Sequence, residues 1–570
     1  MPAATPTNGA SVARRSRCWR FVSFAGTAFT VLVALVCVAL LLVRYVLLPH
    51  VENYSPQITA RLSQMLGAPV TVETLKTGWN GWNPTVEVTG LRVQASPGSE
   101  GRPDLMLPRV TATVSWLSIV TLEPRLKDFA IERPELVVAR LRDGRFRVAG
   151  VEFDPAAEGN GKLVDWLLKQ REIAIQDAVV VWSDEVTGAP PLVLHNVDFR
   201  IEHPLGSSHH RIGLTGEPPP EQAAPLDLRA DLTYASLRDR NVLDARFYVL
   251  VEYVDLAAWT RWIPVPILMR EGHGALRLWV DVTAGTLRQV TADVELADVR
   301  TQPDPALPPL ELDRLGGRVA WYADDTTRRM STKGLSFVAR AGAVVTPIDF
   351  TFEATVGNRG EFRSGRASAD RLELAPLAAV AASLPMPSSW RSELARYQPR
   401  GTLQNAKYRW EGPAETPTSF AAEADAVDLG VAPVGSVPGI SGLSGRVEAD
   451  ERGGNARISS RQLSLSLPRL YPSPIAFDSL TAAVRWRGTV DSVEVASLAF
   501  ANADAAGTAS GTWRASPGGP GVVDGKAQLS RIDQRAIARY LPQAVGEGVR
   551  SLISSAISAG SIETASFTLK

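Results

Sequence analysis

Three histidines, His203, His209 and His210, fall close together around a Gly-Ser-Ser loop. Clustered imidazoles are one ingredient of a zinc site. No thiolate joins them, because Cys18 and Cys37 lie far upstream, so a solvated loop is the expected reading and no metal is assigned. Two acidic doublets, Asp184-Glu185 and Asp324-Asp325, are the nearest thing to paired carboxylates. Adjacent residues on a strand point to opposite faces, so neither doublet makes a natural acid/base pair, and strand ends or turns are their expected places. No histidine is followed by glutamate, and no G-x-S-x-G, P-loop or S-x-x-K motif occurs. An enzyme is not expected, and no cofactor is implied. Basic and acidic residues balance at 60 each, so the chain is not built to neutralise nucleic acid.

The remaining chemistry is that of apolar surface. Leu276, Leu278 and Val280 alternate with Arg277, Trp279 and Asp281. Val290, Ala292, Val294 and Leu296 alternate in the same way, as do Leu463, Leu465 and Leu467 with two serines between them. A period of two means strands with one apolar face and one polar face. Such runs follow one another with Gly- and Pro-rich connections, and Asp143-Gly144 carries a hairpin signature. The fold class expected is mainly β: an elongated, repetitive antiparallel sheet interrupted by short helices. Apolar-acid pairs at Val254-Asp255, Leu372-Glu373 and Ile532-Asp533 each open a helix of about ten residues that closes on an apolar-Pro step. Further helices are expected from Ser55 to Gly67 and from Val545 to Ile557.

The one long apolar run is Phe21 to Val43, without a charge. It is long enough to cross a bilayer core, and no cleavage site follows it. Arg14, Arg15, Arg17 and Arg20 precede it, which places residues 1–20 in the cytoplasm and the bulk beyond the membrane. Trp79 and Trp82 follow closely enough to mark the membrane interface or to pack the first strands.

LGGRV at 315–319 returns as LSGRV at 443–447, Gly274-Ala275-Leu276 as Gly401-Thr402-Leu403, and Pro347-Ile348 as Pro474-Ile475. An offset that stays at 127 or 128 over several matches marks stacked β modules. The expected organisation is a tail at 1–20, a membrane helix at 21–43, an N-terminal β region at 44–250, and modules at 251–372 and 373–570. The chain closes on the alternating SIETASFTLK with no cap, so the second module is expected to continue beyond residue 570. One-sided strands must bury their apolar faces, either against a second sheet or around something held in a trough. Periodicity does not choose between these.

LGAPV at 66–70, GWNGWNPTVEVTGLRV at 78–93, LKDFAIERPELVVARLRDGRFRV at 126–148 and IQDAVVVWSDE at 175–185 together resemble the AsmA-like superfamily, most closely its YhdP branch. The resemblance implies a bridge-like lipid transfer protein anchored in a bacterial inner membrane. Its curved periplasmic β-groove would carry phospholipid acyl chains toward the outer membrane. On that reading Leu276, Leu278, Val280, Val290, Val294, Leu296, Leu463, Leu465 and Leu467 line the groove. The alternative is an envelope assembly factor that serves outer-membrane or periplasmic proteins by strand addition.

Overall fold

The computed structural model describes most of the chain between residues 12 and 569. Outside the description lie 1–11, 48–55, 94–104, 149–150, 154–165, 234–242, 264–266, 517–520 and 551–560, with scattered positions mainly at 58–68 and 534–550. The expected helices at 55–67 and 545–557 fall largely on those residues, as does most of the one after Asp533.

The chain divides into two units, Met1–Glu217 and Pro218–Lys570. Both are mainly β, and the sheet does not close into a barrel. In the first unit, a helix Val12–Leu42 holds the expected apolar run up to Leu42 and passes into a π-helical turn at Val43–Leu47. Its apolar window has a mean hydropathy of 2.7 and is unburied. The Asp143-Gly144 turn joins Glu135–Arg140 to Phe146–Val148, with Gly144 at φ 84°. One pairing departs from the antiparallel expectation. Strand Glu172–Asp184 lies parallel to both Leu126–Glu132 and Glu135–Arg140, which form one edge broken at Arg133, φ 52°. Those partners are far apart in sequence, so no local turn chemistry announces them.

The second unit is an antiparallel succession of long strands from Leu226–Thr233 to Val522–Asp533, each paired with the next. Short helices interrupt it. Leu256–Trp259 is capped by Asp255, whose carboxylate accepts from the Ala258 N–H at 3.0 Å, as the sequence led one to expect, but the helix is four residues long, not about ten, and gives way to a turn at Thr260. Glu373 precedes the helix Leu374–Val380 but does not cap it; Thr346 and Arg371 occupy its carboxylate instead. A further helix, Ser388–Tyr397, has no signal in the apolar period, since its residues are mostly polar and none is buried.

The repeated LGGRV and LSGRV have a steric cause. Gly317 and Gly445 sit mid-strand at φ 128° and 154°. A Cβ on Gly445 would lie 2.2 Å from the Arg457 carbonyl oxygen, and one on Gly317 would lie 2.7 Å from that of Gly334. The glycine preceding Gly317 is different: a Cβ on Gly316 would meet nothing nearer than 3.8 Å, and the second copy has Ser444 there. Gly316→Ser should therefore shift the thermal midpoint of the full chain by no more than a degree or two, about 0.5 kcal/mol or less. A large loss on scanning calorimetry would contradict this account of the repeat.

Candidate functional site

Register brings the apolar sets together. Leu276 stands opposite Val294, Leu278 opposite Ala292, and Val280 opposite Val290. All share one face, while Arg277 and Glu295 are exposed on the other. The row through Val280 runs from strand to strand without a polar break. It passes Ala230, Phe247, Val280, Val290, Trp321, Met330, Phe352, Ala367 and Tyr408, then Ala422, Ala449, Gly454, Trp486, Val493, Trp513 and Val523. Tyr408 is the row's only hydroxyl, carried on an aromatic ring.

Among the described residues of this unit, no second sheet covers this face. Leu276, Leu278, Val280, Val290, Val294, Leu465 and Leu467 are only half-buried, and Trp321, Met330 and Val523 are 38%, 39% and 43% exposed. Facing layers in a sandwich would bury them. Two of the nine candidates behave differently. Leu296 is packed with Val299, Leu312, Ala339 and Val380 in a core partly supplied by the helix Leu374–Val380, and Leu463 is buried. Leu467 lies one residue past the end of its strand at Ser466. A cavity of about 380 Å³ is lined by residues that include Phe350, Ala369, Leu372, Leu403, Ala424 and Leu429.

One feature escaped the period-two reading. Once in each of many strands the inward apolar step lengthens from two residues to three. Examples are Val251/Val254, Leu296/Val299, Val345/Ile348, Ala369/Leu372, Ala426/Leu429 and Val495/Leu498. The two residues between face out, and several take positive φ: Asp298, Asn405, Asp428 and Gln462. Side chains of the next strand hold the bulged amides. Asp428 N–H donates to Ser444 Oγ at 3.0 Å and Gly334 N–H to Asp349 Oδ1 at 2.7 Å. In the first unit Asp177, φ 54°, donates likewise to Asp198 at 3.0 Å. A bulge bends its strand and raises the local twist. Bulges repeated in strand after strand make a crease, and the lengthened step keeps apolar residues on one face on both sides of it. The signal was present in the sequence as that single three-residue step per strand.

The opposite face carries charge. Arg318 donates to Asp293 at 2.8 Å, Arg329 to Glu353 at 3.0 Å and Lys407 to Glu423 at 2.7 Å. Such exposed pairs contribute little each, but they keep this face in water.

The two acidic doublets sit at a strand end and in a turn, as their adjacency led one to expect. Asp184 ends its strand, accepts from the Val186 N–H and pairs with Arg140. Asp324 sits in the turn before Thr327, where the Thr326 and Thr327 amides and the Tyr322 hydroxyl hold its pKa down at about 2. A depressed carboxylate pKa means that its stabilisation is present above the unfolded value near 4 and is lost as pH falls through about 2. Asp324→Asn should therefore lower stability at pH 7 and make no difference at the acid end of that window, as read by urea melts at both pH values. An equal loss at both would contradict this role. The His203 and His210 rings pack 4.4 Å apart, and burial lowers the His203 pKa. Among the described residues no group of three His, Cys, Asp or Glu is placed to hold a metal ion.

Comparison with known proteins adds a relationship. A family model described as YhdP protein matches residues 18–570. The intermembrane phospholipid transporter YhdP of Escherichia coli (strain K12) is 22% identical over 473 residues, which are 80% of this chain and 35% of that protein. The chain thus spans about a third of the length of that relative. No solved structure matches.

Proposed function

Because the chain belongs to the YhdP family, we propose that it carries phospholipid along its open apolar face, with acyl chains against the strands and headgroups toward water. The observation that carries this is the unbroken apolar row across the second unit, left uncovered on its own side. Each methylene removed from water there contributes about 0.8 kcal/mol, so one acyl chain contributes several. A row without polar breaks lets a chain slide from strand to strand without meeting a desolvation barrier. The named activity of the E. coli relative supports the same cargo.

The anchor is the apolar part of the helix Val12–Leu42, in the bacterial inner membrane, with the strand-rich bulk in the periplasm. The arginines at its N-terminal side support that orientation. An alkaline-phosphatase fusion at residue 200 should be active, and a cytoplasmic reporter there silent; the reverse would overturn the topology. For the cargo, residues 45–570 isolated without detergent should carry phospholipid detectable by mass spectrometry. A folded, lipid-free product would overturn the transport reading and leave strand addition as the better one.

A further inference from the structure

We infer that the tip of the hairpin 74–93 is a second membrane contact, seating Trp82 in the headgroup region of the bilayer that the Val12–Leu42 helix enters. The inference rests on the reading of that helix as an anchor. Trp82 is 80% exposed, more than any other large apolar side chain described. The next values, 76% for Phe24, 68% for Phe29 and 67% for Tyr45, belong to the anchor and the turn that ends it. A lone exposed apolar residue calls for no explanation. Here Trp82 has company: Trp116 donates its indole N–H to the Trp82 carbonyl at 2.9 Å, and Leu117 beside it is 37% exposed.

The tip is also built to hold its shape. Asn80 pairs with Asn83 across the two-residue turn Gly81-Trp82, with Gly81 at φ 60° as such turns require. The Asn83 side chain donates to the Val114 carbonyl at 2.8 Å. The tip is thus tied once to the end of the neighbouring strand Leu105–Val114 and once to Trp116 just beyond it, while the Trp82 side chain stays exposed.

The partner is fixed by continuity with the anchor. Arg44 follows the apolar run directly, and its guanidinium lies 5.3 Å from the Trp79 ring centre, on the same hairpin. A cation held over an indole at the end of a spanning helix stands where headgroup phosphates do. Indoles favour that zone, being apolar in body with one polar edge. The arrangement would hold the first strands at the membrane surface, where a lipid leaves the leaflet.

The test uses the full chain in phospholipid nanodiscs with p-benzoylphenylalanine in place of Trp82, and the same replacement of Trp390, 50% exposed in the other unit, as control. Illumination should yield phospholipid adducts at 82 and none at 390. A fluorophore at 82 should be quenched by lipids brominated near the headgroup and shielded from iodide in solution. An iodide-accessible position 82 without adducts would overturn the inference. A photoprobe at 278 separates it from the transport reading. Adducts at 278 but not 82 defeat the membrane contact alone, whereas adducts at 82 but not 278 defeat the groove alone.

Discussion

Leu278→Asp is expected to leave the protein folded and to stop lipid reaching the strands beyond it. Leu278 stands between Val249 and Ala292 in the register, on the open face, and is half-buried. Without lipid, a carboxylate there still meets water, so the fold should lose only about 1–2 kcal/mol of side-chain packing. With lipid, the same charge lies in the acyl path, where desolvation costs several kcal/mol. Photoprobes at Val447 and Val484, farther along the same face, should lose adducts by at least about tenfold in cells. Undiminished adducts would mean that lipid does not pass Leu278. Unfolding of the variant would mean that this face is a closed core.

Gly445→Val should be among the most damaging single changes in the second unit. The residue sits at φ 154°, and a side chain would drive into the Arg457 carbonyl and the Ile458 Cα, 2.8 Å away. Neither can move without breaking the pairing of Gly439–Asp450 with Gly453–Ser466. Backbone strain and collision together should cost about 3 kcal/mol or more. Hydrogen exchange should show the loss concentrated in those two strands and their neighbours. An unchanged melting profile would contradict the close approach.

The alternation of Leu276–Val280 and Val290–Leu296 identified the strands and the shared face correctly, because period two depends only on local backbone geometry. Asp255 likewise announced its helix through cap chemistry that operates within four residues. The parallel pairing around Glu172–Asp184 was not legible, because its partners meet through the fold and not through a turn. The crease was written in the sequence but hidden by the rule used to read it. A three-residue step such as Ala426 to Leu429 looks like a broken alternation until the bulge at Asp428 is seen to restore the face. Openness of the apolar face was not legible at all. Alternation says which side is apolar, and only the half-burial of Leu278, with Trp321 at 38% exposed, says that no second sheet among the described residues of its unit covers it.

The central claim is that lipid lies on one face of this sheet and not the other. Photoprobes at 277, 278, 294 and 295 in the otherwise unchanged chain, illuminated in cells, test it directly. Arg277 and Glu295 point away from Leu278 and Val294 on the same two strands. The account predicts phospholipid adducts at 278 and 294 and little or none at 277 and 295. Equal labelling of all four positions, or none at 278 and 294, would contradict it.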